Sequence, residues 1–359
     1  KTKATTRSRQ ILPRNTSTLA ALLTITHPFI PSPEGKHPLT PHYQTENSME
    51  PQKTKIALYV KRSFGEKLGA SFDFIKEHWK LLLKFSTYLL LPLCLVQALS
   101  LNGLTQGILA WGDAAGGASG YNEAALPLGL MSYYGLYLLL YMVGTVLLTS
   151  LVYAMVRAYQ ERDGCLEGMT LGVLKPLLLR NVRKLVLVIL LGILLLVFAG
   201  LALGFISKLF SSSVLLLVLC LMVLALPLAL WAPVCLFEDI SVADALVKSY
   251  RLGLATWGGI LSMMIVMGLV AAILQGVTML PWYIGLAIKT IFTAAESGSA
   301  AVNSAGYDFV LYLLAIVQGF GTYLAMIFTL VGLAYQYGHA SEKLDNVTVE
   351  SDIDNFDKL

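Results

Sequence analysis

Two stretches of the sequence, SFGEKLGASFDFIKEHW (63–79) and SVADALVKSYRLGLATW (241–257), decide the predicted fold. Both open with a capping box, Ser-x-x-Glu in the first and Ser-x-x-Asp in the second, which satisfies backbone N–H groups at a helix start. Aligned without a gap, they match at Ser63 with Ser241, Glu66 with Asp244, Leu68 with Leu246, Ser71 with Ser249, Phe72 with Tyr250 and Trp79 with Trp257. Since the matches include polar positions, we predict that the chain repeats one helical unit.

Each stretch is amphipathic and leads directly into an apolar run. The apolar face of 63–79 consists of Phe64, Leu68, Phe72, Ile75 and Trp79, and that of 241–257 of Val242, Leu246, Tyr250 and Trp257. A weaker third copy, 169–184, lacks the capping box and the tryptophan. Basic amphipathic helices of this kind lie in the membrane interface. We therefore predict three interfacial helices, with Trp79 and Trp257 as anchors at headgroup depth.

The composition is that of a membrane protein. The 359-residue chain has a mean hydropathy of +0.68, and 13% of its residues are charged, where soluble domains have about a quarter. Six apolar runs reach the roughly 20 residues that span a bilayer, namely 81–101, 130–156, 185–206, 214–237, 258–280 and 309–335. We therefore predict an all-α integral membrane protein with six transmembrane helices. The repeats predict three parallel units, each an interfacial helix followed by a helical hairpin.

The loops between these runs predict the orientation of the chain. Lysine and arginine are frequent before the first span and in 157–184, and they are absent from 102–129. Basic loops remain preferentially on the cytoplasmic side of a membrane. Both termini are therefore predicted to be cytoplasmic, and 102–129 and 281–308 are predicted to be outer loops.

The two ends of the chain differ in composition from the membrane domain, which is predicted to cover 63–338. Residues 1–48 are rich in Ser, Thr, Pro and His, and Met49 resembles a natural start, so we interpret 1–48 as disordered or as upstream read-through. Residues 49–62 are predicted as a cytoplasmic N-terminal segment and 339–359 as an acidic, disordered cytoplasmic tail. Without 1–48 the chain has 20 basic and 20 acidic residues, so its charge gives no argument for nucleic-acid binding.

Two motifs resemble a known family. Ser63-Phe64-Gly65-Glu66-x-Leu68 is similar to the opening of the glycerophosphoryl diester phosphodiesterase membrane-domain family and related uncharacterised bacterial polytopic membrane proteins. The spacing of Pro233, Glu238, Ala245, Leu246, Ser249, Leu252 and Trp257 also resembles that family, and the similarity covers roughly 63–338. The resemblance implies a bacterial inner-membrane protein. In some relatives the membrane region precedes a TIM-barrel phosphodiesterase, but this chain has no segment long enough for one and no His-Arg-Gly signature, so that activity is not implied.

Motifs for catalysis or for cofactor and metal binding are absent from the sequence. There is no Walker A, G-x-G-x-x-G, G-x-S-x-G or H-E-x-x-H motif. Only His78 and His339 follow Met49, and the four cysteines lack the short spacing of a zinc or redox site. We therefore predict no catalytic residue, no cofactor and no metal, and a protein that is not an enzyme.

The candidate site is a group of charged residues at the predicted cytoplasmic interface, namely Glu238, Lys248, Arg251, Arg180 and Arg183. Glu238 ends a predicted span and is expected to pair with Lys248 or Arg251, or to cap the next helix. The group is predicted to bind anionic membrane lipids, another membrane protein or a second copy of the chain, since lysine and arginine attract anionic headgroups.

Two alternative functions predict different arrangements of residues. A small transporter or permease would need a polar cavity near mid-bilayer, lined by Gln275 and Gln318. A membrane-embedded lipid enzyme would need at least two acidic residues that meet on one side of the membrane. The spans carry no internal acid, which argues against ion coupling because intramembrane charges usually mark ion paths.

Overall fold

The computed structural model describes residues 55–117, 128–162, 166, 168–209, 223–295 and 299–349, and in these residues the backbone forms helices and no β-strand. The segment 1–48 lies outside the described residues, as do residues 350–359 of the predicted tail and ten residues of the predicted outer loop 102–129. The all-helical class predicted from the sequence is thereby confirmed for the part of the chain that the structure describes.

The described helices are α1 Phe64–Gly117, α2 Leu128–Glu161, α3 Leu171–Leu209, α4 Trp231–Phe237, α5 Val242–Ala255, α6 Trp257–Ala294, α7 Ser299–Val302 and α8 Ala305–Leu344. Five of them, α1, α2, α3, α6 and α8, are long and apolar enough to cross a membrane. The protein is therefore a multi-pass membrane protein by helix length and composition.

The predicted span 214–237 is described only in its second half. Residues 210–222 lie outside the described residues, and Val223–Phe237 is a shorter apolar helical segment. Within it, a 3-10 turn at Leu226–Leu230 precedes α4. The sixth transmembrane helix therefore stays a prediction.

The helices begin where the capping boxes predict. The Ser63 N–H donates to Glu66 Oε2 (2.8 Å), and the Glu66 N–H donates to Ser63 Oγ (3.4 Å), which closes a complete box before α1. Before α5, the hydroxyl oxygen of Ser241 accepts from the Asp244 N–H at 3.2 Å. Both contacts satisfy N–H groups that have no partner within the helix.

The boundaries between interfacial helices and spans differ from the prediction in two of the three copies. Residues 63–79 continue without a break into the first span, and 169–184 continue into α3. No glycine or proline lies between residues 76 and 84, so nothing in the local sequence interrupts the backbone hydrogen bonds of α1. Only the copy 241–257 forms a separate helix, α5, which ends before Thr256.

Two predicted loop or tail boundaries are wrong. Helix α6 continues through Pro281 to Ala294, so residues 281–294 of the predicted outer loop 281–308 are helical. Helix α8 continues past residue 338 to Leu344, and Ala340 and Ser341 are buried. The first residues of the predicted disordered tail are therefore ordered, because they pack against the membrane domain.

The polar ends of the helices meet at one end of the bundle, which we call the polar end. Lys67 of α1 donates to Gln336 of α8 there (2.7 Å). At the same end, Asp239 binds both Arg157 of α2 and Lys184 of α3. Helices α1, α3 and α6 therefore begin at the polar end, and α2 and α8 end there.

The segment 55–62 contacts both α2 and α8 at the polar end. The Leu58 N–H donates to Gln160 Oε1 of α2 (3.2 Å), and the Arg62 N–H donates to His339 Nδ1 of α8 (3.0 Å). A Cβ atom at Gly338 would lie 2.3 Å from the Leu58 carbonyl oxygen. Only glycine allows this close approach of the two backbones.

Candidate functional site

Asp239 is the centre of the first group of charges at the polar end. Its carboxylate lies 2.9 Å from Arg157 Nη2, 3.1 Å from Arg180 Nη1 and 3.1 Å from Lys184 Nζ. Asp239 has a positive φ of 56°, in the turn that follows α4. Partial burial by itself would raise the pKa of Asp239, but the hydrogen bonds from Arg157 and Lys184 outweigh it and hold the pKa below its ordinary value.

Lys248 is the centre of the second group. Its Nζ atom lies 2.6 Å from Glu238 Oε2 and 2.9 Å from Asp345 Oδ2. Asp345 also binds Arg251 at 2.5 Å, and Glu238 accepts from the Tyr337 hydroxyl at 2.8 Å. Partial burial would lower the pKa of Lys248, but Glu238 and Asp345 outweigh this effect and raise it. The predicted pairing of Glu238 with Lys248 is confirmed.

Four of the five predicted site residues thus form ion pairs within the protein: Arg180, Lys248 and Arg251 pair with acids, and Glu238 pairs with Lys248. Arg183 is exposed, and no ion pair involves it in the part of the chain that the structure describes. We call the paired residues the ion-pair belt; its members are Arg157, Arg180, Lys184, Glu238, Asp239, Lys248, Arg251 and Asp345. Lipid or partner binding by the predicted five residues stays a prediction, and the belt uses much of their charge internally.

The two predicted tryptophan anchors lie in different surroundings. The Trp79 side chain is 51% exposed on the outward side of α1. Trp257, the first residue of α6, is half-buried, and its Nε1 atom is buried without a hydrogen-bond partner. Trp79 is therefore available to surrounding lipid, whereas Trp257 contributes to an internal pocket.

This pocket, which sequence reasoning missed, lies where α6 begins at the polar end. It has a volume of about 290 Å³, and Lys67, Trp257, Gly259, Gln336, His339 and Lys343 are among its lining residues. Two lysines and no acidic residue line it. We call it the Lys67 pocket.

Lys67 is the most unusual residue of this pocket. Its side chain is only 4% exposed, and its hydrogen-bond acceptor is the neutral amide oxygen of Gln336, at 2.7 Å. The helical period of 63–79 predicts Lys67 away from the apolar face, but the aligned residue of the second copy, Ala245, is fully buried. The equivalent positions of the two copies thus both face the protein interior, and the sequence alone carries no signal of this.

Gln318 lines a cavity near mid-membrane in the described part of the chain. The cavity has a volume of about 10 Å³ and is also lined by Gln97, Tyr137 and Cys94, whereas Gln275 is not among its lining residues. A cavity of this volume is at the lower limit for one water molecule. The transporter alternative stays a prediction, and this cavity is too small to hold a solute.

The described residues contain no group of three His, Cys, Asp or Glu side chains that could hold a metal ion. No protein-family model, curated protein or solved structure matches the chain.

Proposed function

We propose that this multi-pass membrane protein is not an enzyme and binds anionic lipids through the interfacial part of its polar end. The observation that carries the proposal is the outward face of α1, where exposed residues change from basic to aromatic to apolar along the helix. This face consists of Lys76, Lys80, Lys84, Tyr88, Leu91, Leu95 and Leu99.

The order of these side chains follows the layers of a bilayer. The three lysines are exposed, and none pairs with an acid in the described ranges. Tyr88 is 64% exposed, as expected of an aromatic ring at the interface. Leu91, Leu95 and Leu99 then expose apolar side chains where acyl chains would lie. Each lysine near an anionic surface contributes about 1 kcal/mol of attraction.

Mass spectrometry of the full chain, released gently from its membrane, tests this proposal. Wild-type protein is expected to retain anionic phospholipid. Replacing Lys76, Lys80 and Lys84 together by glutamine is expected to reduce the retained lipid, whereas replacing them together by arginine preserves the charge and should not. Equal lipid retention by all three proteins would contradict the proposal.

The proposed topology has six transmembrane helices in three parallel repeats, in a bacterial inner membrane, with both termini and the polar end on the cytoplasmic side. Helix α3 leaves the polar end, yet Lys184 near its start donates to the Cys235 carbonyl oxygen at 3.0 Å. Cys235 therefore also lies at the polar end, which supports the proposed sixth span at 214–237. Labelling of single cysteines from each side of intact membranes tests the orientation, and labelling of the exposed residues 175 and 349 from outside would contradict it.

The resemblance to the glycerophosphoryl diester phosphodiesterase membrane-domain family is part of this proposal. It is consistent with a membrane region that acts without a catalytic domain. A membrane partner or a second copy of the chain is the alternative ligand of the polar end, and the same mass spectra would reveal it as a bound polypeptide.

A further inference from the structure

We propose that the Lys67 pocket is a binding site for a phosphate group, which either a phospholipid headgroup or a soluble phosphate compound would supply. The residues of this pocket are separate from the lysine face of α1. The proposal therefore does not depend on the lipid contacts proposed for that face, and the two are tested with different variants.

The first argument is the lack of a counterion for Lys67. The ammonium group is buried, its acceptor is a neutral amide, and no carboxylate lines the pocket. Burying a charge is costly unless an opposite charge or several hydrogen bonds compensate it. The cations of the ion-pair belt have such carboxylates, at distances of 2.5 to 3.1 Å. A bound anion would give Lys67 the compensation that the protein does not provide.

The second argument is a buried donor without an acceptor. Gln336 is fully buried, and its Nε2 atom has no hydrogen-bond partner. Because its Oε1 atom accepts from Lys67, the amide is oriented and Nε2 remains a donor. A Cβ atom at Gly259 would lie 2.9 Å from Gln336 Nε2 and 3.2 Å from Lys67 Nζ. Both nitrogen atoms therefore border one small space, which the absence of a side chain at Gly259 keeps open.

The third argument is the start of α6. The first turn of a helix has N–H groups without acceptors and a positive dipole end, which together favour anions. The Thr256 side chain accepts no hydrogen bond from this turn, and its hydroxyl donates to the Leu252 carbonyl oxygen (2.8 Å). Gly258 and Gly259 give a ligand close access to the backbone. Helix α6 has 38 residues, so its dipole is fully developed.

The remaining lining residues define the class of ligand. Trp257 Nε1 is a further buried donor without a partner, and Lys343 adds a second cation at the exposed rim. His339 accepts from the Arg62 N–H through Nδ1, so the proton of the neutral ring lies on Nε2 as another donor. The pocket thus offers several donors, two of them ammonium groups, which suit the charged acceptor oxygens of a phosphate. A volume of about 290 Å³ accommodates a phosphate with a small alcohol.

Calorimetric titration of the full chain in an uncharged detergent tests the proposal. The probes are inorganic phosphate, with chloride at the same ionic strength as the blank, and the short-chain lipid dihexanoyl phosphatidylglycerol. We expect at least one probe to bind with a stoichiometry of one. Lys67→Met should weaken that binding on the order of 10- to 100-fold, since it removes a charged hydrogen bond. Lys175→Met, at an exposed lysine of α3 that belongs neither to the pocket nor to the lysine face of α1, should leave the affinity unchanged.

The pattern of binding identifies the source of the phosphate. Binding of the lipid probe, with competition from inorganic phosphate, supports a headgroup site, and binding of phosphate alone supports a soluble ligand. Absence of binding by both probes, or equal affinities of wild type and Lys67→Met, would overturn the proposal. If Lys67→Met does not fold, Gly259→Ala fills the same space and should also weaken binding. The glutamine variants of Lys76, Lys80 and Lys84 test the lipid contacts of the α1 face. A loss of lipid in those variants alone would support the α1 contacts and would give no support to this pocket.

Discussion

The ion-pair belt and the Lys67 pocket lie at the same end of the bundle, but only the belt provides carboxylates for its cations. In the belt, Lys248 lies between Glu238 and Asp345, and Asp239 binds three cations. In the pocket, Lys67 is more deeply buried than Lys248 and yet has only a neutral partner. Burial alone therefore does not show that a charged residue serves only the stability of the fold. The absence of a counterion is the observation that distinguishes Lys67.

The largest expected effect is the difference in stability between the Lys248→Met and Lys67→Met variants. Lys248→Met should lower the free energy of unfolding by about 2–3 kcal/mol, because Glu238 and Asp345 lose the cation that they share. Lys67→Met should leave it unchanged or raise it in phosphate-free buffer, because the cost of burying an uncompensated ammonium exceeds the gain from its one hydrogen bond. Thermal unfolding in detergent measures both. Equal losses of stability would show that Lys67 is as well compensated as Lys248, which would remove the contrast.

An intermediate effect on stability is expected from replacing Gly253 by alanine, with Gly259→Ala as the comparison. A Cβ atom at Gly253 of α5 would lie 2.6 Å from Pro227 Cα, so Gly253→Ala forces two backbones apart and should cost about 1–3 kcal/mol. At Gly259, the nearest atoms are the mobile ends of Gln336 and Lys67. Gly259→Ala should therefore cost less than about 0.5 kcal/mol, since alanine also favours the helix. The melting temperatures of the two variants check this order, and a reversed order would contradict an open pocket.

The smallest expected effect concerns Asp239 and its dependence on pH. Asp239→Asn should cost about 1 kcal/mol at pH 7, because its partners are partly exposed. Because the pKa of Asp239 is lowered in the folded protein, its stabilising effect is complete above its ordinary pKa of about 3.9 and is lost as the pH falls through the folded value. The difference between wild type and Asp239→Asn should therefore stay constant down to about pH 5 and shrink as the pH falls further, through the lowered pKa of Asp239.

Glu161→Gln is the matched control for that experiment. Glu161 also binds Arg157, at 2.6 Å, but as an exposed i, i+4 pair within α2. Such a pair contributes about 0.3–0.5 kcal/mol. A loss as large as that of Asp239→Asn would mean that Arg157, rather than Asp239, determines the stability of the first charge group.

Local patterns explain how much of this could be predicted from the sequence. The capping boxes at Ser63 and Ser241 predict helix starts because their partners are three residues away. Glu238 and Lys248 are close in sequence, and their pairing was among the predicted alternatives. The period of apolar residues predicts which segments are long enough to span, but it contains no signal for whether 63–79 and the first span form one helix.

Long-range contacts explain what could not be predicted. Asp345 meets Arg251 across 94 positions of sequence, and an acid in a polar tail resembles a solvated residue until that contact is known. Lys67 meets Gln336 across 269 positions. The pocket brings together the start of α1, the start of α6 and the end of α8, and no pattern within any one of these segments specifies their distance.

The contacts of the segment 55–62 with α2 and α8 have a consequence for biosynthesis. Arg62 is made early, but its partner His339 follows 277 residues later. At about 5–20 residues per second, the ribosome needs roughly 14–55 s to make the chain between them. Until α8 is made, the segment has only its local contacts and those with α2, such as that of Leu58 with Gln160, while the contacts with Gly338 and His339 have yet to form. Completion of α8 therefore completes the packing of the polar end, and a chain arrested before residue 338 should leave Leu58, which is buried in the finished protein, more accessible to proteases.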